Sequence, residues 1–253
     1  MAVRLVICNR KGGTGKTTVS VNLAAGLANT GLKVLLLDLD SQGHCSSGLG
    51  IKARDNFIHD IFYKNDANFV ASLRRTDIPN LWLCPADPNF DHSQGRLDPH
   101  RLSHVIESSG VDDAFDIIIM DTPPSLDMLL RNALLAARWV IVPFVPHYLS
   151  YEGVKQLVKL MYDIKKTENP DLQLKGFLPT MASQTKRHHR KIMNDVASHF
   201  GAQRMLPPIR CDIRLVDAFA TGEPIQIFDP GSRGANDFGA LCERLTSDFK
   251  TPA

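Results

Sequence analysis

Near the amino end, the residues Asn9-Arg10-Lys11-Gly12-Gly13-Thr14-Gly15-Lys16-Thr17-Thr18 set a lysine on either side of Gly-Gly-Thr-Gly and follow it with two threonines. Glycines let main-chain N–H groups converge on phosphate oxygens, and a helix opening behind them adds partial positive charge at the same point. Lys16 is then placed to neutralise β- and γ-phosphates, and the Thr17 hydroxyl to bind Mg²⁺. Gly12, Gly13, Thr14, Gly15 and Thr18 complete the predicted cradle. One position departs from the ordinary phosphate loop, because Arg10 stands where its first glycine would be, and a second lysine, Lys11, opens the turn. Lys11 cannot easily share the place that Lys16 takes on the same phosphates. It is most useful on a nucleotide held by another subunit, where it would stabilise charge developing in phosphoryl transfer. That geometry requires a dimer.

Two acidic strand ends could complete the chemistry. Asp38 and Asp40 follow Val34–Leu37, and alternation along a strand would put both carboxylates on one side. Phe115–Met120 is an apolar run closed by Asp121, the Walker B form, in which the acid holds Mg²⁺ through a coordinated water.

The elements that must position these groups are apolar runs of strand length, each closed by a turn signal: Val3–Cys8, Val34–Leu37, Leu81–Cys84, Phe115–Met120, Val140–Val145, Leu172–Leu178 and, more weakly, Met205–Ile209. Continuous rather than alternating hydrophobicity marks strands covered on both faces. The predicted fold class is therefore α/β: a doubly wound, mostly parallel sheet with helices on both faces, of the P-loop NTPase type. No repeat, low-complexity tract or linker divides the 253 residues, so residues 1–253 read as a single domain. Asp55 to Pro79 is the least regular stretch and is expected to hold mobile insertions.

Composition excludes several classes. The longest apolar run, Trp139 to Pro146, is far shorter than the roughly 20 residues of a spanning helix. With no charged leader before an apolar core, a cytoplasmic location is expected. The 29 Lys+Arg and 27 Asp+Glu leave a net charge of +2, so a nucleic-acid partner would need a local basic patch. Five cysteines, at 8, 45, 84, 211 and 242, have no C-x-x-C spacing and read as reduced structural thiols.

The segment Lys-Gly-Gly-Thr-Gly-Lys-Thr resembles the K-G-G-x-G-K-T signature of the ParA/MinD family of deviant Walker A ATPases. The resemblance extends in order along the chain. Asp38-Leu-Asp40-Ser-Gln-Gly is similar to the family's D-x-D-P-Q-G, with Ser41 where proline is frequent. Asp121-Thr-Pro-Pro resembles its D-x-P-P switch, and Phe228-Asp-Pro-Gly-Ser-Arg-Gly-Ala its carboxy-terminal Y-D-P-x-S-x-G-A. Arg210 to Ala218 resembles the adenine-framing segment. The resemblance implies ATP and Mg²⁺ as cofactors and catalytic roles for Lys11, Lys16 and Asp40, with Asp40 orienting the attacking water. It also implies Thr17 and Asp121 at the metal, Asp212 accepting from the adenine amino group, and Arg210 contributing main chain.

The implied function is ATP-driven partition or positioning of DNA or protein cargo. An ATP-state homodimer would bind nonspecific nucleoid DNA, and a ParB-like or other small adaptor would stimulate hydrolysis and release it. The candidate DNA contacts are Lys186, Arg187, Arg190 and Lys191, four cations within Lys186–Lys191, together with Arg214. Thr185 stands where many members have arginine. Leu241 to Ala253 has mixed charge and little apolar face, so membrane docking of the MinD type is the alternative rather than the expectation. A synthetase of the cobyrinate or dethiobiotin type is the other alternative, and it would need a second substrate pocket.

Overall fold

The structure, a computed structural model, describes residues 1–64, 67–91, 98–125, 128–183 and 185–249. The last four residues of the carboxy-terminal sequence, 250–253, lie outside the described residues, as do 65 and 66 within the irregular stretch.

Seven strands form one sheet: β1 (Val3–Ile7), β2 (Val34–Asp38), β3 (Arg74–Arg75), β4 (Leu81–Cys84), β5 (Ile117–Asp121), β6 (Trp139–Phe144) and β7 (Gln173–Pro179), in the order β3-β4-β2-β5-β1-β6-β7. Every neighbouring pair is parallel except β3 with β4. Successive side chains leave opposite faces, so each strand feeds two cores. Val6, Leu35, Leu37, Ile118, Met120 and Val142 pack on one side with Leu102, Leu130 and Leu157. Leu5, Ile7, Leu36, Ile119 and Ile141 pack on the other with Val19, Leu23 and Leu27 of the helix Lys16–Asn29 and with Phe238 and Leu241 of the helix Arg233–Phe249. This double burial is the reason the runs read as unbroken apolar segments.

Register brings the site together. Ile7 of β1 and Asp38 of β2 both pair with Asp121 of β5, so the three central strands end level and release their loops to one edge. Ligands in open parallel sheets bind beyond such carboxyl ends.

Three expectations are corrected. Met205–Ile209 is not a strand; only isolated bridges join Met205 to Phe177 and Arg210 to Ala182, because Pro207 and Pro208 have no N–H to offer a ladder. The stretch from Asp55 to Pro79 is not a loose insertion among its described residues. Ile58, Ile61, Phe69 and Ile78 are buried there, around the short helix Asp60–Tyr63 and the antiparallel edge β3. The carboxy-terminal helix does have an apolar face, with Leu241, Cys242 and Leu245 buried, but it is turned inward.

Candidate active site

The phosphate loop leaves β1 and is anchored before it turns. Asn9 donates from Nδ2 to the Pro143 carbonyl at 2.7 Å and accepts the Lys11 N–H on Oδ1 at 3.0 Å. Gly13 and Gly15 have φ of 71° and 79°, left-handed values that a side chain would strain. On the far side, the buried Thr180, just past β7, donates from its hydroxyl to the Thr14 carbonyl at 2.8 Å. The helix Lys16–Asn29 then starts at Lys16 with its free N–H groups facing the loop. Gly12 to Thr18 line a cavity of about 390 Å³ together with Asp40, Gln42, His44, Pro124 and Phe219.

The two lysines of this loop differ in burial. Lys16 is buried, and burial pushes its ammonium below the ordinary value, against the opposing pull of Asp121 and Asp40. Lys11 is exposed. Arg10 reaches away from the cavity and donates to the Gln156 side chain on the helix Tyr148–Thr167.

Behind the loop, the fully buried Asp121 accepts the Thr17 hydroxyl on Oδ2 and the Ser20 hydroxyl on Oδ1, both at 2.8 Å. Burial raises this carboxyl's pKa, and the two hydroxyls oppose the rise. Its neighbour Asp38 is also fully buried. It accepts the Cys45 N–H at 3.0 Å and the Asp40 N–H at 3.2 Å, and burial, reinforced by Asp121, holds it well above the carboxylate range. Cys45 donates from Sγ to Asp121 at 3.5 Å, and burial and the two acids push its thiol pKa well up. Ser20 was not singled out from sequence. Its spacing three residues after Thr17 puts both hydroxyls on one helix face, and that was the available signal.

Asp40 reaches the cavity by another route than strand alternation. β2 ends at Asp38, Leu39 is buried, and Asp40 sits in a turn closed by the Gly43 N–H on its carbonyl at 2.9 Å. Its Oδ1 accepts the Gln42 N–H at 3.1 Å.

Beside the phosphate cavity lies an apolar pocket of about 450 Å³ lined by Val19, Met181, Ile209, Leu215, Val216 and Phe238 among others, with Arg210 and Asp212 on its wall. Both of these polar residues already have structural partners. Arg210 is held to Asp237 through its main-chain N–H at 2.8 Å and its Nε at 3.0 Å. Asp212 accepts the Arg214 N–H at 3.1 Å and the Gly234 N–H at 2.8 Å, closing the starts of two helices.

The basic cluster is a surface of different character. Lys186, Arg187, Arg190 and Lys191 are exposed on the first turns of the helix Arg187–Phe200, whose other side buries His189, Ile192 and Val196. Arg214 does not share this setting: its guanidinium is paired with Asp229 at 2.9 Å and Asp217 at 3.5 Å and lies over the Phe228 ring. No helix among the described residues is long and apolar enough to cross a membrane.

Comparison with known proteins agrees with this geometry. A family described as an AAA domain matches residues 3–174. The chain is 36% identical over 251 residues to the sporulation initiation inhibitor protein Soj of Bacillus subtilis, spanning 96% of this chain and 98% of that protein. It is 32% identical over 250 residues to the chromosome partitioning protein ParA of Caulobacter vibrioides, spanning 96% and 93%. Among solved structures, cobyrinic acid a,c-diamide synthase from Mycobacterium smegmatis with bound ADP and magnesium is similar with a TM-score of 0.83 and 30% identity, over 99% of this chain and 96% of that one.

Proposed function

The chain belongs to the ParA/MinD family of P-loop ATPases, and from that premise we propose that it is a partition or positioning ATPase whose ATP-bound homodimer docks on nonspecific DNA. It uses ATP with Mg²⁺. A ParB-like or other small adaptor stimulates hydrolysis and releases the dimer. The whole of residues 1–253 works as one domain in this reading, in the cytoplasm on the nucleoid.

The observation that carries the reading is the division of labour between the two lysines of one loop. Lys16 is buried, with Asp121 and Asp40 acting on its ammonium, whereas Lys11, at the other end of the same glycine turn, is exposed. An exposed cation next to a phosphate cradle in sequence is suited to the nucleotide of a facing subunit. Thr17 and Asp121 would hold Mg²⁺. Their hydroxyl and carboxylate meet at 2.8 Å and offer oxygen only, which suits that hard ion, and Mg²⁺ supplies charge neutralisation on the phosphates. Gly12 to Gly15 offer main-chain N–H groups, Thr18 lines the same wall, and Asp40 orients water. The apolar pocket takes the adenine, with Asp212 and the Arg210 main chain at its rim.

DNA docking falls to Lys186, Arg187, Arg190 and Lys191. Cations on the first turn of a helix oppose its dipole, and this first turn has no acid to offset them. Such a placement favours an anionic partner. Arg214, already neutralised by Asp229 and Asp217, is a weaker contributor than its sequence position implied. Membrane docking is the lesser reading, since the apolar face of the terminal helix is buried.

The test is oligomeric state and DNA retention with a non-hydrolysable ATP analogue. Wild type dimerises and retains duplex at low salt; Lys11→Ala binds analogue but stays monomeric and does not retain DNA. A Lys11→Ala protein that dimerises normally overturns the cross-subunit role. The similarity to the Mycobacterium synthase supports a second reading, a ligase-type use of ATP, for which phosphate release would depend on an added co-substrate.

A further inference from the structure

We propose that His59 is a positioning residue for ATP hydrolysis, fixing through its Nε2–H the peptide that carries Asp40. The inference rests on the reading of Asp40 as the water-orienting residue.

His59 is fully buried, and its ring stacks on Phe90 at 4.2 Å between centroids. Both ring nitrogens face main chain from different segments. The Asp87 N–H, beyond β4, donates to Nδ1 at 2.9 Å. Nδ1 is therefore the acceptor, which places the ring proton on Nε2 in the neutral imidazole. Nε2 lies 3.3 Å from the Leu39 carbonyl oxygen, which can only accept, so the tautomer set on one side supplies the donor required on the other.

That carbonyl belongs to the peptide joining Leu39 to Asp40. The N–H of the same peptide donates to Asp38 Oδ1 at 3.2 Å, and the Leu39 N–H donates to the Asp121 carbonyl at 2.9 Å. The peptide in front of Asp40 is thus held at its oxygen by His59 and at its nitrogen by Asp38, and the residue before it is tied to β5. With the Leu39 side chain buried, little freedom remains in where the Asp40 Cα sits. Misplacing a reacting group by about 1 Å can cost as much as 10²-fold in rate, so one buried hydrogen bond far from the phosphates can act on turnover.

The experiment uses the full chain with saturating Mg-ATP, reading turnover and, separately, affinity for a non-hydrolysable analogue. His59→Phe keeps a flat ring against Phe90 and removes both nitrogens. Its kcat is expected to fall about tenfold while analogue affinity stays within about twofold, because only the Asp40 side of the site moves. His59→Gln, whose amide N–H can reach the Leu39 carbonyl, restores kcat; His59→Asn, too short to reach it, does not. In an Asp40→Ala background His59→Phe has no further effect, since both act through one group. If His59→Phe does not fold, the Gln and Asn variants carry the same contrast. Equal kcat in those two, unchanged kcat in folded His59→Phe, or a parallel loss of analogue affinity overturns the inference. Failure of the underlying reading has its own signature: Asp40→Ala would keep its turnover. If Asp40→Ala loses turnover and His59→Phe does not, the role of His59 alone is lost.

Discussion

The phosphate loop with its acids and the basic helix Arg187–Phe200 both gather charge, and they do so in opposite ways. In the first region Lys16, Asp38 and Asp121 are buried, and each acid is held by donors at named positions. In the second, Lys186, Arg187, Arg190 and Lys191 stand in solvent. Buried polar and charged groups are tolerated only with partners in place, which fixes their geometry. Exposed charges act through their summed field, are screened by salt, and substitute for one another. In the proposed reading, the contrast is between a site suited to chemistry on one ligand and a face suited to a repetitive polyanion.

The largest expected effect therefore comes from a single atom group in the buried region. Lys16→Ala should weaken ATP binding by about 10²-fold or more, the scale of removing one partner from a buried charge cluster. Titration with a fluorescent ATP analogue measures it. A loss under about fivefold would mean that Lys16 does not carry the phosphates and would erase the contrast. In the exposed region no single change should matter so much. Alanine at Lys186, Arg187, Arg190 and Lys191 together should lower the slope of log affinity for nonspecific duplex against log salt by about 3 to 4, with each single change contributing about 1. Arg214→Ala should move that slope by less than one such step, since its guanidinium is already paired. A slope unchanged in the fourfold variant would take DNA docking away from this helix.

The same contrast explains what could be read from sequence. Buried parallel strands must be apolar on both faces, so β1, β2, β4, β5, β6 and β7 stand out as runs, and loops that grip phosphate require glycine and lysine at set spacings. β3 left no such trace, being two arginines on an edge. Met205–Ile209 imitated a strand in hydrophobicity alone, while its prolines forbade the ladder. Side chains that act on main chain rather than on ligand were the hardest to see. His59 is one histidine in an irregular stretch, and its value comes from Leu39 and Asp87, 20 and 28 residues away. The resemblance assigned Asp212 a role at the base, whereas its bonds to two helix starts depend on where Gly234 arrives in space and left no trace in the sequence.

The smallest effect tests the boundary between the two regions. His189 sits on the basic helix but is buried, and its Nδ1 accepts the Ser183 N–H at 3.2 Å, three residues from the Thr180 contact with the phosphate loop. Burial lowers its pKa below the ordinary 6.5, helped by Lys186, His147 and His188. The unfolded chain therefore takes up a proton at this residue as pH falls through about 6.5, whereas the folded chain resists until lower pH. Folding stability should decline across that window and then level off, and His189→Gln should flatten the decline. A polyanion laid over Lys186 offsets the repulsion that helps keep His189 neutral. Duplex binding should then take up protons in the same window and tighten as pH falls. Calorimetry in two buffers of different ionisation enthalpy counts those protons, and His189→Gln should reduce the count. An uptake equal in both proteins would show that the bound phosphates leave His189 unaffected, and that the basic face acts without reaching the buried layer beneath it.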